Sequence, residues 1–181
     1  MTTHVEVVFE MHRDRGSTPR ISSELNMNQD QRDEAMRLTL EHVRRVGILM
    51  NQCIANLMHR VVVHDASKFD VQEFDSVAEA TKNLHSLTFG SKEHTDQLAM
   101  LDKWISIHYS KNSHHPQYYE NGIDGMDLLD LVEMLSDWKA ATERHHDGNL
   151  DKSFNINRGK FNISPQLESI LRNTAIRMGW L

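Results

Sequence analysis

Cysteine is almost absent from this chain. Cys53 is the only one in 181 residues, so no intramolecular disulfide can form, and a reducing, cytoplasmic setting is the expectation. Positive charge is also short: 20 Lys and Arg stand against 26 Asp and Glu, a formal net charge of −6. That balance argues against an extensive grip on nucleic-acid backbone. It leaves room for a small anionic substrate held by a local cation. No apolar run approaches the roughly 20 residues that span a bilayer. The opening stretch, MTTHVEVVFEMHRDRG, lacks the charged-then-apolar order of a signal peptide. No membrane association is therefore expected. Proline is scarce, and none of the three falls within residues 30–59. Repeats, low-complexity tracts and heptad arrays are missing as well.

What remains is an ordinary globular composition, 39% hydrophobic and 25% charged, in a chain long enough to bury one core. Residues 1–29 divide from the rest. Val5, Val7, Phe9 and Met11 alternate as in a short strand or extended arm, and residues 13–29 are polar and carry Pro19. Such an arm hints at a homo-oligomer. From residue 30 to 181 the pattern is helical. Met36, Leu40, Val43, Gly47, Met50, Ile54 and Leu57 recur at spacings of three and four, predicting a helix over about 30–59. A second is predicted over 62–84, with Phe69, Phe74 and Val77 toward the core, and a third over 92–110 behind Ser91. Residues 111–125 (KNSHHPQYYENGIDG) read as a functional loop. A fourth helix follows over 126–145. After a polar loop, a last one spans 164–178, opened by Ser164 with Pro165 at its first position. The expectation is an all-α bundle of about five main helices with an extended N-terminal arm.

The unusual count is 12 His, the commonest metal ligand among side chains. His64 and Asp65 are adjacent in VVVHDASKFD, and imidazole and carboxylate both suit a divalent ion. Neighbouring helical positions point about 100° apart, so both reach one ion only where a helix end or a turn faces it. The plainer alternative is a helix start with Asp65 at the positive end of the dipole. His42 sits inside a long helix, and Asp137 stands mid-helix, where Asp is unfavourable without a reason. Asp130, Glu133 and Asp137 fall at i, i+3 and i+7, three carboxylates on one face that is either solvated or neutralised by a cation. His108, His114 and His115 form a second cluster at a helix end, beside Lys111 and Asn112. His145 and His146 precede Gly148 and read as capping chemistry, while Tyr118 and Tyr119 are either base-stacking groups or loop anchors.

The order His42, His64–Asp65, Asp137 resembles the H…HD…D signature of the HD-domain phosphohydrolase superfamily, and the HDAS stretch is similar to that of the 5′-deoxynucleotidases. More closely, HDASKF, HYSKNSHHP, MDLLDLVEMLSDWKAA and LRNTAIRMGW look like a family of small phage and bacterial proteins without an assigned function. The superfamily resemblance implies His42, His64, Asp65 and Asp137 as metal ligands. It further implies one or two divalent ions (Mn, Co, Mg, Zn or Fe), with His108 and His115 serving a second ion and His114 their rival. The activity implied is hydrolysis of a small phosphorylated substrate, most readily a nucleotide or deoxynucleotide. One departure stands out: Lys68 occupies the place of a glutamate in the related deoxynucleotidases. Lys68 is thus expected to meet a substrate phosphate or to pair with Asp65. Glu73 or Glu133 would then act as general acid or base, and Lys111, Asn112 and Arg144 would bind substrate. Two alternatives stay open. One is a di-iron oxygenase; the other is a metal-stabilised, non-catalytic binding module, such as a phage protein acting on a host factor.

Overall fold

The structure is a computed structural model that describes residues 27–70, 73–74, 91–93, 102–144 and 147–181. The described residues are all-α, with five α-helices and no strand: α1 (Gln29–Val63), α2 (Asp102–Lys111), α3 (Leu128–Glu143), α4 (Leu150–Lys160) and α5 (Pro165–Arg177). Short 3-10 turns lie at Ala66–Phe69, Pro116–Tyr118 and Gly122–Gly125. The predicted strand or arm at 1–12 and the bulk of the predicted second helix lie outside the described residues. The chain divides into two compact units, Met1–Val46 and Gly47–Leu181, and the division falls within α1.

In the first unit, α1 opens on a reciprocal cap. Asn28 Oδ1 accepts from Gln31 N (2.9 Å) while Gln31 Oε1 accepts from Asn28 N (3.0 Å), the Asn–Gln form of a capping box. Arg37 reaches Glu34 and Glu41 along the exposed helix surface. The apolar positions here are open to solvent, Met36 at 60% and Leu40 at 59%.

In the second unit α1 runs further than the spacing predicts. Nothing between His59 and Val62 breaks a helix, so the residues assigned to the start of a second helix complete the first. The chain turns only at Asp65, whose φ of 54° is left-handed. Asp tolerates that region because its short side chain bonds locally. Phe69 and Phe74, expected to face the core, are instead 78% and 53% exposed. By length and composition α1 also passes as a candidate membrane span, which a count of uninterrupted apolar residues does not detect. Its last turn carries Arg60 and is followed directly by His64, both paired with acidic side chains.

The core belongs to the C-terminal half. Met134, Leu135 and Trp138 of α3 meet Leu150 and Phe154 of α4, Ile163, and Leu171 and Ala175 of α5. Trp138 stacks on Phe161 at 11° and meets Phe154 edge-on at 85°. α3, α4 and α5 each have a cap that fixes the start. Asp127 and Asp130 form a capping box at α3, and Asn149 Oδ1 accepts from Lys152 N. Ser164 Oγ accepts from Leu167 N, with Pro165 at the first position as the sequence predicts. At the far end of α5, Gly179 takes φ 70° and Trp180 N donates back to Ala175 O, the Schellman arrangement. α4 itself replaces what the sequence predicts as a polar loop.

Candidate metal centre

Four segments of the second unit bring their polar side chains to one place. The last turn of α1 supplies Arg60, and the turn that follows it supplies His64, Asp65, Ser67 and Lys68. The end of α2 and the following loop supply His108, Lys111, Asn112, Ser113, His114 and His115. α3 supplies Asp130, Glu133 and Asp137. Glu73, with no exposed surface, joins them from below.

One carboxylate oxygen and three imidazoles converge. Asp65 Oδ1 lies 3.2 Å from His108 Nε2 and 3.5 Å from His114 Nε2, and His108 Nε2 lies 3.0 Å from His115 Nε2. All four ligand atoms fall within 4.8 Å of one another. A tetrahedral ion with bonds of 2.0–2.1 Å separates its ligands by about 3.3 Å, so these spacings suit a common ion. Two atoms test the fit. Asp65 Oδ1 and His114 Nε2 are buried without a hydrogen-bond partner, and a buried polar atom left so costs about 1–3 kcal/mol unless something satisfies it. A cation does. The cluster can hold a metal ion.

The shell behind the ligands fixes the tautomers. Glu133 Oε1 takes a hydrogen bond from His64 Nδ1 (2.8 Å) and faces His114 Nδ1 at 3.1 Å. Hydrogens assigned to those Nδ1 atoms by their partner leave both Nε2 lone pairs bare. His108 Nδ1 faces Glu73 Oε2 at 3.4 Å, and Glu73 in turn takes Ser67 Oγ (3.1 Å) and Lys111 Nζ (2.9 Å). Asn112 Nδ2 donates to Ser67 Oγ and to His108 O, both at 2.8 Å.

Arg60 supplies the cation that the acidic face of α3 requires. It pairs with Asp130 through Nη2 and with Glu133 Oε2 at 2.5 Å through Nη1. Asp130 also accepts from Ser113 Oγ (2.8 Å), Tyr119 Oη (2.5 Å) and Asp127 N (3.0 Å). Tyr119 is therefore a loop anchor. Gly125 permits it: a Cβ there would stand 2.7 Å from Tyr119 Cβ and 2.4 Å from Asn121 Oδ1.

Charge states follow from these contacts. Burial opposes ionisation of Asp65, but His108 and Lys68 outweigh it and hold the carboxyl well below the usual range. Burial likewise opposes Glu133, and His114, His64 and Arg60 win. The His115 imidazole is pushed down to about 2 by burial and then by His114 and His108, so it is neutral and ready to ligate. Glu133 raises His64 against the penalty of burial. The Tyr119 phenol is pushed up to about 12 by burial and by Asp130.

The sequence-predicted residues divide accordingly. His64, Asp65 and Asp137 come together as one group, with His64 Nε2 3.4 Å from Asp65 Oδ2 and 3.9 Å from Asp137 Oδ1. His108 and His115 join Asp65, and His114, held as their rival, joins them rather than replacing them. His42 does not take part. It is exposed in the first unit and lies in α1, the helix that His64 directly follows, where separate helices were expected, because no breaker divides the run. Lys68 pairs with Asp65. Arg144 is exposed at the α3 C-cap and lines neither cavity at the cluster. His145 and His146 lie outside the described residues. Arg60, Ser67 and Ser113 carried no sequence signal of their own. The i, i+3, i+7 carboxylates of α3 were the available clue to Arg60, since they demand a cation.

Two cavities flank the cluster. One, of about 390 Å³, is polar and lined by Arg60, Ser67, Lys111, Asn112, Ser113 and His114 among others. The other, of about 360 Å³, is walled by Leu57, Val61, Val132 and Ala140 and reaches His64 and Asp137.

Fold and site thus define an all-α protein with a histidine-rich candidate metal centre. Residues 31–177 match a family described as "Family of unknown function (DUF5662)", and the chain belongs to it. The searches of curated proteins and of solved structures return no match.

Proposed function

We propose that this protein is a metal-dependent phosphohydrolase for a small phosphorylated substrate, a nucleotide or deoxynucleotide by the HD-domain resemblance. The observation that carries the reading is the convergence of Asp65 with His108, His114 and His115, two of whose ligand atoms are buried and unpartnered. A bound divalent ion would supply Lewis acidity at a phosphoryl oxygen and an acidified water. The chain's own residues do the rest. Arg60 and Lys111 bring positive charge to the wall of the polar cavity, where it would attract phosphate oxygens. Ser67, Asn112 and Ser113 line it with their hydrogens already given to neighbouring side chains and backbone. Glu133 and Glu73, buried or nearly so behind the imidazoles, orient them, and Asp137 joins Glu133 in lining the second cavity. The apolar walls there suit a base or another flat group on the leaving side.

The test is release of phosphate from a panel of nucleotides and simple phosphomonoesters, with Mn²⁺, Co²⁺, Mg²⁺ or Zn²⁺ added to stripped protein. Turnover that needs metal and disappears in Asp65→Asn is expected. Metal retained without turnover on any phosphoester overturns the hydrolase and leaves a metal-stabilised binding module.

A further inference from the structure

The two oxygens of Asp65 point to different neighbours. Oδ1 belongs to the three-histidine group, whereas Oδ2 faces Lys68 Nζ and His64 Nε2. A carboxylate that bridges two ions gives one oxygen to each. A second ion here would need Asp65 Oδ2, His64 Nε2 and Asp137 Oδ1, a group that is also within ligand range of itself. That corner already holds a cation.

We infer that the centre binds one divalent ion, at Asp65 Oδ1, His108, His114 and His115, and that the Lys68 ammonium permanently fills the second position. This rests on the metal-centre reading above. Three features support it. Lys68 sits three residues beyond Asp65 on the 3-10 turn, and its backbone N–H donates to Asp65 O at 2.9 Å, which keeps the ammonium on its own carboxylate. The Lys68 side chain is only 25% exposed and the Asp65 side chain 13%, so the pair is poorly screened and an incoming dication meets nearby positive charge. The donor count also differs: the first position offers four side chains, three of them imidazoles, and the second offers three. Lys68 thus acts as a positioning residue, a fixed counter-charge where a dinuclear centre would place an exchangeable one.

The experiment is a Co²⁺ titration of the chelator-stripped full chain, followed by visible absorption and by metal content after dialysis. One equivalent is expected for the native chain and for Lys68→Arg. Lys68→Met keeps the length and loses the charge, and two equivalents are expected. Adding Asp137→Asn to Lys68→Met should return it to one, and His115→Ala should weaken the first equivalent at least tenfold. Two equivalents in the native chain overturn the inference, as does a single equivalent in a helical, folded Lys68→Met. No bound Co²⁺ in the native chain would instead overturn the metal centre as a whole, and with it the proposed function.

Discussion

His108 and His115 present their Nε2 atoms to one another at 3.0 Å, and only one of the two rings can hold a hydrogen between them. His115 is kept neutral by burial, and His108 Nδ1 faces the Glu73 carboxylate. With the hydrogen of His108 drawn to Nδ1, its Nε2 lone pair is turned toward His115. A cation between the rings would replace the shared hydrogen with two bonds.

The thermal consequence is direct. A ligand that binds only the folded state at 100 times its dissociation constant stabilises by about 2.7 kcal/mol. For a chain of this size that raises Tm by about 5–10 °C. Zn²⁺ or Co²⁺ added to stripped protein should give that rise in a melting curve, and EDTA should reverse it. An unchanged melting point at saturating metal would count against the centre.

Glu133 binds no ion in this reading, yet it should govern affinity. It orients His64 and His114 and is itself held by Arg60. Glu133→Gln keeps the volume but can swap a donor into a site that needs an acceptor. Removing such a supporting carboxylate typically costs about 10–100-fold in metal affinity. Competition against a chromophoric chelator measures it, and affinity within twofold of native would show that the tautomers are set elsewhere.

Gly125 closes the 3-10 turn just ahead of α3 and controls one of that helix's contacts. Gly125→Ala forces a Cβ into the stem of Tyr119, which has no rotamer to escape by. The displaced phenol would release Asp130. A loss of about 1–3 kcal/mol in urea unfolding is expected from the overpacking. Tyr119→Phe, which removes only the hydroxyl, should cost less, about 1–2 kcal/mol. Equal costs would mean that Gly125 acts by another route.

Stability of the metal-free protein should fall on mild acidification. His115 has its folded pKa pushed down to about 2, against about 6.5 in the unfolded chain. Below pH 6.5 the unfolded chain binds a proton that the folded one refuses, so stability drains as pH drops through that window. His64 has the opposite sign. Its raised folded value adds stability that is fully present below pH 6.5, and hence flat there. Glu133 and Asp130 are depressed, so their contributions are lost only below the ordinary carboxylate value near 4.3. Between pH 6 and 5 the slope should therefore approach about 1.4 kcal/mol per pH unit, from His115 alone. Urea midpoints in EDTA at those two values test it, and a flat result would show His115 protonating in place.

Much of this was legible in the residues. The all-α class followed from spacings of three and four, and the Ser164–Pro165 start of α5 from capping chemistry alone. The 100° between neighbours required a helix end or a turn if His64 and Asp65 were to share an ion. They stand in the turn after α1 rather than in the first turn of the second helix that the spacing predicts. What stayed hidden has physical reasons. α4 is polar and poor in strong helix formers, and its helicity rests on Leu150 and Phe154 packing against α3 and α5, which no local window contains. Arg60 looks like one charge on an apolar helix until α3 is folded against it. His42 matched by order along the chain, and order does not bring an exposed residue to a site.

A single oxygen, Glu133 Oε1, serves two rings that come from chain segments fifty residues apart. Neither imidazole can turn without loosening the grip on the other, so ring reorientation at the end of α1 and in the loop after α2 is one event. In relaxation-dispersion spectra the His64 and His114 side chains should exchange at a common rate. The centre would then open and close as one unit, in a single cooperative step.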